Sequence, residues 1–440
     1  MAKQQLNHKV IVIGAGAAGL AAARTLHDAG HQVQVLEARE RLGGRMFTSY
    51  DWAPYPVEIG ASAIHGRNTI TFKLITKYRF HTSKDASGHG KWYVYANDYL
   101  YDDLEATDLP PFEVYEFIPE LAEHWAKTQR QDANLLHVIE SWVRQHRHRL
   151  SMDMWRLTEH LITAEWAAHP QELSTFGIAQ STYANDGEGD YRIDEGYSRL
   201  AQRLSRRLQI EYNAIVQKIA WQAENGVAIT LTDGREYSAD RVVITLPLGV
   251  LQSGDVQFSP PLPERKRQAI KKLGAGPLGR LILRFGDRFW PGGMAGFVTT
   301  HPTQLWWRAA LQHDHEVFVW TSVFGGDAER RYAHMSPEAV VQEALDHWVE
   351  IFGPVAAKTF VRGEYYSWSK DPFSKMGYSY VPLGGVGQRA VLAETVANVL
   401  YFAGEATHTI RPSSVHGAFE SGYRAAHEII QHVATLSRYQ

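Results

Sequence analysis

The feature that most constrains this chain is a glycine motif near its N-terminus, set between an apolar run and a predicted helix. Residues 10–13 (VIVI) predict a buried strand, and Gly14, Gly16 and Gly19 follow in the spacing GxGxxG. A second apolar run ends at Glu37, 18 residues after Gly19. A strand, a glycine turn, a helix and an acidic residue at this distance are typical of a dinucleotide-binding unit.

Each residue of this motif has a physical role in such a unit. Gly14 allows the tight turn, Gly16 lets the backbone approach a pyrophosphate, and Gly19 lets the helix pack close to the strand. The helix N-terminus offers free N–H groups and partial positive charge to phosphates, and Glu37 can accept hydrogen bonds from ribose hydroxyls. The alternative is a glycine-rich turn that holds no ligand.

The run that follows distinguishes between dinucleotides. Residues 37–45 (EARERLGGR) resemble the second FAD motif of the flavin amine oxidase superfamily. In that family the two glycines, here Gly43 and Gly44, let the chain pass close to the cofactor, and the arginine, here Arg45, approaches the phosphates. The resemblance also places Arg39 among the cofactor-binding residues, and it favours FAD over NAD.

Motifs near the C-terminus extend this resemblance. Residues 402–408 (FAGEATH) and 415–422 (VHGAFESG) are similar to the last family motif and its continuation. From the residues alone, a strand that ends at Gly404 leads to a helix whose N-terminus near Val415 can stabilise negative charge. The resemblance implies that Glu405 contacts the ribityl or phosphate region, and that Val415 gives its N–H to the flavin ring. It covers nearly the whole chain and adds three cofactor contacts, at Gly60, Ala61 and Val216.

The motifs and the apolar patterns between them predict an α/β fold. The resemblance implies a two-domain, Rossmann-like FAD fold of the amine oxidase type, with an α+β substrate domain and both domains discontinuous. Residues 90–180 suggest mostly helices, and 210–250 alternate as a β-meander. The predicted FAD-binding domain comprises 1–85, 195–285 and 390–440, and the predicted substrate-binding domain comprises 86–194 and 286–389.

Four residues are candidates for catalysis, all by resemblance. Tyr378 and Trp368 match the family's aromatic wall beside the flavin, and His65 matches a polyamine oxidase histidine that contacts a substrate nitrogen. Arg280 stands where the family has a lysine that holds a water at the flavin. Arginine keeps the charge but is bulkier and cannot act as a base, so this substitution bears on the reaction with oxygen. The alternatives are that the two aromatic residues belong to the core, and that His65 is bonded to backbone in a loop.

Three further residues are candidates for the substrate pocket. Ser414 occupies a position that is aromatic in monoamine oxidases, which favours secondary or bulky amines over small primary ones. Arg411 could bind a substrate carboxylate in bidentate fashion, which would point to an L-amino-acid oxidase. Glu188 lies in an acidic stretch, 186–190 (DGEGD), that could attract a polycation. A surface arginine and a solvated loop are the respective alternatives.

Composition excludes several classes of site. The 440 residues contain no cysteine, which excludes disulfides, thiolate metal sites and a cysteinyl link to the flavin. FAD is therefore expected to be non-covalent, and no metal site is expected. The formal net charge of −3 argues against a general nucleic-acid binder. The sequence shows neither a signal peptide nor a membrane tail, so a soluble cytoplasmic protein, monomeric or homodimeric, is expected.

The sequence thus predicts an FAD-dependent enzyme that oxidises an amine C–N bond. By the family's chemistry, hydride would pass from the α-carbon to flavin N5, the imine would hydrolyse, and O2 would be reduced to H2O2. The substrate would be a polyamine or another secondary or bulky amine. Besides the L-amino-acid oxidase, the alternatives are a weakly active or dehydrogenase-type flavoprotein, because of Arg280, and a desaturase or isomerase on the same scaffold.

Overall fold

The computed structural model describes residues 8–84, 90–102, 110–145, 151–181, 186–223, 226–309 and 317–439. The strands in these ranges, numbered in chain order, are β1 (Lys9–Ile13), β2 (Gln32–Leu36), β3 (Thr48–Ser49), β4 (Val57–Glu58), β5 (Ile64–His65), β6 (Thr82–Lys84), β7 (Lys91–Ala96), β8 (Tyr99–Tyr101), β9 (Asp190–Ile193), β10 (Gln209–Glu211), β11 (Val216–Gln222), β12 (Gly226–Leu231), β13 (Glu236–Ala239), β14 (Arg241–Ile244), β15 (Gln257–Ser259), β16 (Gly274–Ala275), β17 (Leu278–Phe285), β18 (Met294–Thr299), β19 (Leu305–Arg308), β20 (Phe318–Gly325), β21 (Phe360–Ser367), β22 (Ser379–Tyr380) and β23 (Leu400–Phe402).

The helices in the same ranges are α1 (Ala17–Asp28), α2 (Ile70–Tyr78), α3 (Pro110–Thr128), α4 (Leu135–Gln145), α5 (Met152–Trp166), α6 (Thr175–Ser181), α7 (Tyr197–Ser205), α8 (Leu248–Ser253), α9 (Glu264–Lys272), α10 (Gly326–Tyr332), α11 (Pro337–Phe352), α12 (Val355–Thr359), α13 (Gln388–Ala393) and α14 (Val415–Tyr439). One short 3₁₀ turn, Glu405–Thr407, precedes α14.

A five-stranded parallel sheet organises the first part of the fold, in the order β10-β2-β1-β14-β23. Successive side chains of a strand point to opposite faces, so β1 contributes to two cores. Val10 and Val12 pack in the core that α1 and α14 share, whereas Ile11 and Ile13 pack in the core beneath the meander. Burial on both faces explains the continuous apolar run that predicted this strand.

The β-meander predicted over 210–250 is present as β11, β12 and β13, which pair antiparallel. Strand β15 extends it to a four-stranded sheet by pairing parallel with β11. Strand β9 lies between β5 and β6 in a three-stranded sheet. This small sheet joins the segment after the first motif to the acidic stretch at 186–190.

A seven-stranded sheet, in the order β21-β17-β20-β19-β18-β7-β8, organises the second part of the fold. Its pairs are antiparallel except β18 with β7. Helix α11 covers it through Trp348, whose ring lies 5.1 Å from that of Trp320 and 5.3 Å from that of Trp306. Aromatic rings at these separations supply both apolar burial and edge-to-face attraction.

Two sequence expectations differ from this arrangement. The predicted FAD-binding segment 195–285 includes strand β17. In the structure this strand pairs on both sides within the seven-stranded sheet. A boundary before Leu278 therefore fits the strand pairing better, and the division into two domains itself stays a prediction. Residues 91–101, in the stretch expected to be mostly helical, form the hairpin of β7 and β8.

The parallel sheet positions the candidate site, because all five strands end at one edge. Gly14 follows β1, Glu37 follows β2, and Gly404 lies two residues after β23. The N-terminus of α14 lies at the same edge, since Gly404 donates its N–H to Ser421 of that helix at 2.8 Å. Ligands of open parallel sheets bind at such an edge.

Candidate active site

A single cavity of about 770 Å³ joins the carboxyl edge of the parallel sheet to the seven-stranded sheet. Gly14, Glu37 and Val216 are among its lining residues from the first part of the fold. Tyr378 and Glu165 are among those from the second part. Segments that are far apart in sequence therefore share one enclosed space that is large enough for an extended ligand.

The turn after β1 has the geometry that its glycines predict. Gly14 has a φ of +99°, and a Cβ there would lie 2.6 Å from Thr245 Oγ1. Gly19 does not line the cavity, but a Cβ on it would lie 1.8 Å from the Gly14 carbonyl oxygen. Only glycine fits either position. Gly16 forms a bridge with Gly43, so the segment that contains Gly44 passes directly beside the turn.

Glu37 is buried, at 5% exposure, with its carboxylate at the cavity wall. Its Oε2 accepts the N–H of Ala15 at 2.6 Å, and its Oε1 accepts the N–H of Arg39 at 2.9 Å. Burial raises the pKa of Glu37 despite these bonds and the nearby Arg39 charge. The Arg39 guanidinium bonds to Asp371 at 2.6 Å, so its side chain is held at the edge of the same space.

Arg45 and Glu405 meet at the middle of the cavity. Arg45 Nη1 lies 3.1 Å from Glu405 Oε1 and also donates to the Gly377 carbonyl at 2.6 Å. Glu405 Oε2 accepts the N–H of Ser413 at 3.0 Å. Burial alone would raise the pKa of Glu405, but the positive charges of Arg45 and Arg389 outweigh burial and lower it. Glu405 is therefore a charged carboxylate in a buried network.

The aromatic residues predicted for the catalytic wall both line the cavity. Trp368 is 3% exposed and donates its indole N–H to the Ile59 carbonyl at 3.3 Å. Tyr378 bonds through its hydroxyl to the Ala164 carbonyl, and burial raises its pKa far above the usual value. Both rings are thus held at their polar atoms by backbone carbonyls, which leaves their faces available to a ligand.

Arg280 also lines the cavity and is held on three sides. Its Nη2 donates to the Gly60 carbonyl at 2.5 Å, and its Nη1 donates to Thr321 Oγ1 at 3.0 Å. The guanidinium carbon lies 5.0 Å from the centre of the Trp307 ring. These contacts hold a positive charge in a fixed position on the cavity wall.

The remaining predicted pocket residues separate into two groups. His65 and Ser414 line the cavity, and His65 Nδ1 lies 2.8 Å from Asp190 Oδ1. Arg411 does not line it, because the side chain pairs with Asp186 through Nε at 2.5 Å and with Glu420 through Nη1 at 3.3 Å.

Glu188 is likewise not a lining residue, which corrects the prediction for the acidic stretch. Gly187 and Gly189 have φ values of +80° and +81°, so Glu188 sits at an exposed turn. Asp190 lines the cavity instead, because β9 begins there and pairs it directly with His65 of β5.

Sequence reasoning missed several polar residues of the cavity, among them Tyr115, Glu165, Asp190 and His416. The Tyr115 hydroxyl donates to Glu165 Oε2 at 3.3 Å. His416 is buried and lies 3.5 Å from Asp186 Oδ2, and burial lowers its pKa to about 4. Asp190 lies in the acidic stretch that the sequence singles out, but its pairing with His65 appears only in the structure. Glu165 gave no signal, because nothing in the sequence relates α5 to the glycine motifs.

Comparison with known proteins decides the family. A family model described as flavin containing amine oxidoreductase matches residues 17–430. The chain belongs to this family. This chain is 32% identical to polyamine oxidase 2 of Arabidopsis thaliana, over 98% of this chain and 89% of that protein. It is 31% identical to lysine-specific histone demethylase 2 of Homo sapiens, over 97% of this chain and 54% of that protein.

Solved structures agree on the fold of this amine oxidoreductase. Cyclohexylamine oxidase from Brevibacterium oxydans IH-35A superposes with a TM-score of 0.81 at 22% identity, over 97% of this chain and 100% of that chain. The predicted family and fold are therefore confirmed. The chain spans about half the length of the histone demethylases it matches. The family description includes a flavin, which agrees with the predicted class of cofactor.

Two negative findings apply to the described residues. No helix in these ranges is both long and apolar enough to cross a membrane. No group of three or more histidine, aspartate or glutamate side chains in the same ranges could hold a metal ion. The cytoplasmic location and the oligomeric state stay predictions.

Proposed function

We propose that this protein is an FAD-dependent amine oxidase that acts on a polyamine or another secondary or bulky amine. The observation that carries the proposal is the shared cavity, which joins the nucleotide-binding turn at Gly14 to the aromatic wall of Trp368 and Tyr378. A cofactor at one end and an amine at the other would meet there without leaving the protein interior.

The first part of the cavity fits FAD. Gly14 and Gly16 leave the space for a pyrophosphate, and Glu37 presents buried carboxylate oxygens to a ribose. Arg45, beside the Glu405 carboxylate, is placed to pair with phosphate. Ala61 and Val415 line the same space, as do the other predicted contacts Gly43, Gly44, Gly60, Val216 and Gly404.

We further propose that FAD is held without a covalent bond. The chain has no cysteine to form a thioether, and Gly377 stands before the wall residue Tyr378. Acid precipitation of the yellow protein should leave all of its flavin in the supernatant. A pellet that keeps its flavin absorbance after washing would contradict this part of the proposal.

The second part of the cavity suits a cationic, partly apolar substrate. Glu165 and Asp190 place carboxylates on its wall, and Trp368 and Tyr378 place aromatic faces there. Carboxylates attract an ammonium group, while aromatic walls contact methylene groups and exclude water. Ser414, at the position that is aromatic in monoamine oxidases, has a small side chain and lines the same cavity, which favours a secondary or bulky amine.

These side chains would also prepare the amine for oxidation. Bound FAD would supply the acceptor for the hydride of the substrate α-carbon. The apolar surfaces of Trp368 and Tyr378 lower the polarity around the amine, which favours its neutral form. Arg280 contributes a fixed charge close to the carbonyl of Gly60. O2 as the final acceptor, with formation of H2O2, is part of the proposal.

The position of Arg411 argues against an L-amino-acid oxidase. Its guanidinium is occupied by Asp186 and Glu420, and its side chain does not line the cavity. A substrate carboxylate would meet the carboxylates of Glu165 and Asp190, which repel it, while the Arg280 guanidinium is already bonded to Gly60 and Thr321.

A substrate panel tests the proposed class. Spermine, N-acetylspermine, phenylethylamine and an L-amino acid are each supplied in air, and H2O2 is measured. We expect the polyamines to give the highest kcat/KM, and Glu165→Gln to raise the KM for spermine more than that for phenylethylamine. Glu188→Gln is the matched control, because Glu188 is exposed outside the cavity. A preference for the amino acid would overturn the proposed substrate class.

A further inference from the structure

Behind the cavity, a buried polar network ties together three of the segments that line it. Ser379 Oγ donates to Glu405 Oε2 at 2.6 Å, and Ser413 Oγ donates to the Ser379 carbonyl at 2.7 Å. Arg45 bonds both to Glu405 and to the carbonyl of Gly377. The residue between Gly377 and Ser379 is the wall tyrosine, so both of its neighbours are fixed by this network.

Arg389 is the outermost member of the network and does not line the cavity. It is 3% exposed, and it donates through Nη1 to Ser379 Oγ at 2.5 Å and through Nη2 to the Ser379 carbonyl at 3.0 Å. Two donors from one planar guanidinium fix the orientation of Ser379 as well as its position. The Ser379 hydroxyl thus accepts from Arg389 while it donates to Glu405.

The helix that carries Arg389 is itself anchored. Lys266 Nζ, on α9, donates to the carbonyls of Val391 and Leu392 at 2.8 Å each, at the end of α13. It also donates to the carbonyl of Glu394 at 2.5 Å. An ammonium group at these carbonyls satisfies the end of a short helix, so Arg389 projects from a rigid base.

Burial of Arg389 carries a cost that packing alone does not explain. Burial lowers the pKa of Arg389 to about 10 although Glu405 raises it, so the group stays charged near neutral pH. Its Nε has no hydrogen-bond partner among the described residues. A buried charge with an unsatisfied donor costs stability, which the bonds to Ser379 and the opposite charge of Glu405 offset.

We propose that Arg389 is a positioning residue, which fixes the Tyr378 wall relative to the flavin-binding residues Arg45 and Glu405 through Ser379. This inference rests on the proposed function for its kinetic part. It assigns Arg389 no contact with substrate or cofactor, so Arg389 acts only through the network. A displacement of the wall by about 1 Å would lower the rate of the chemical step strongly while substrate binding changes little.

The test compares Arg389→Met, Arg389→Lys and Ser379→Ala with Arg241→Met. Arg241 is a buried arginine on β14 that bonds to His8 Nδ1 at 2.9 Å, and it neither lines the cavity nor belongs to the network. For each variant three quantities are measured: the FAD dissociation constant, the visible circular dichroism of bound FAD, and the limiting rate of anaerobic flavin reduction by spermine. If Arg389→Met does not fold, Ser379→Ala provides the test, because it removes the hydroxyl that joins Arg389 to Glu405.

Arg389→Met and Ser379→Ala should alter the circular dichroism of bound FAD and lower the limiting rate about tenfold or more. The spermine concentration that gives half of the limiting rate should change by less than about threefold. Arg389→Lys should recover part of the rate, because one ammonium donor can still reach Ser379. Arg241→Met should keep the wild-type dichroism and rate. Wild-type dichroism and rate in Ser379→Ala and in a folded Arg389→Met would overturn the inference.

The two proposals fail in different ways. If spermine and the other amines do not reduce the wild-type flavin, the proposed function fails. The FAD dissociation constants and the dichroism spectra still decide the role of Arg389 in that case, since neither needs turnover.

Discussion

Glu37 shows how a single side chain can determine cofactor binding. Its carboxylate is already bonded to the N–H groups of Ala15 and Arg39 and still lines the cavity. Glu37→Gln removes the charge and turns an amide N–H towards those donors. We expect FAD affinity to fall about 10- to 100-fold, since charged hydrogen bonds contribute about 1.5–3 kcal/mol.

Equilibrium dialysis of FAD against the apoprotein measures this effect. Glu40→Gln is the matched control, because Glu40 lies three residues away and is exposed. Equal FAD affinity for Glu37→Gln and the wild type would show that Glu37 does not contact the ribose.

Arg280 provides a second prediction at the residue scale. Its guanidinium is fixed by the Gly60 carbonyl and Thr321, which leaves it no freedom to make room for a water. Arg280→Lys replaces it by a compact, strongly hydrated ammonium group. We expect reduced flavin to be reoxidised by O2 about tenfold faster, which corresponds to about 1.4 kcal/mol of barrier.

Stopped-flow mixing of the reduced enzyme with O2 measures that rate. Arg284→Lys is the control, because Arg284 lies on the same strand but bonds to the Trp52 carbonyl and does not line the cavity. An unchanged rate in Arg280→Lys would mean that Arg280 does not act at the flavin.

Individual residues also mark the limits of sequence reasoning. Gly14 and Glu37 could be placed, because their roles depend on neighbours in one strand–helix–strand unit. The acidic stretch 186–190 predicts Glu188 as a pocket residue, but Asp190 is the residue that lines the cavity. Asp190 begins strand β9, whereas Glu188 lies two residues earlier, in the exposed turn before that strand. Arg411 is predicted as a possible partner of a substrate carboxylate, but its ion pairs with Asp186 and Glu420 hold the guanidinium away from the cavity.

At the scale of elements, the close packing of α1 against the turn after β1 requires that Gly19 has no side chain. A Cβ on Gly19 would lie 1.8 Å from the Gly14 carbonyl oxygen, and backbone cannot move aside as a side chain can. Gly19→Ala should therefore destabilise the protein by about 3 kcal/mol and reduce its FAD content. Thermal unfolding and the ratio of flavin to protein absorbance measure both effects.

The control for this substitution is Gly292→Ala. A Cβ on Gly292 would meet no atom closer than 3.7 Å, and the residue is exposed. Gly292→Ala should unfold at the wild-type temperature. If Gly19→Ala does so as well, α1 does not pack against Gly14 as described.

Elements differ in how far the sequence predicts them. The unit of β1, α1 and β2 could be predicted, because its glycines and apolar residues interact locally. The hairpin of β7 and β8 was missed, although Asn97 and Asp98 have φ values of 52° and 59° and form a turn of the kind that favours asparagine and aspartate. That stretch is rich in aromatic residues, and β7 pairs parallel with β18, which is distant in sequence. The local sequence pattern therefore does not identify these strands.

For the whole molecule, the buried histidines predict a loss of stability in acid. His160, on α5, bonds through Nδ1 to the Thr299 carbonyl at 2.8 Å, and burial lowers its pKa to about 4 from 6.5. Between these two values the unfolded chain binds a proton and the folded protein does not. Stability is therefore fully present above about pH 6.5 and decreases as the pH falls towards 4, by about 3 kcal/mol for this residue.

Unfolding free energies at pH 7 and pH 4.5 test this prediction. His160→Gln keeps a donor for Thr299 but cannot take up a proton, so its stability should decrease less between the two pH values. His137→Gln should decrease as the wild type does, because His137 is exposed. Equal decreases for all three proteins would contradict the assignment.

The overall architecture could be predicted because the motifs at both ends of the chain belong to one parallel sheet. The cavity itself could not, since it brings Glu37, Glu165, Tyr378 and Glu405 together from four distant segments. Which side chain of each segment faces the cavity depends on helix packing and strand register, and the spacing within a motif does not contain that information.

The central claim is that one cavity holds FAD and an amine side by side, and anaerobic titration of the FAD-loaded protein with spermine tests it most directly. The account predicts that the visible flavin absorbance bleaches in proportion to the spermine added, and that it returns with release of H2O2 when O2 is admitted. A flavin that stays oxidised with spermine, N-acetylspermine and phenylethylamine alike would contradict the account.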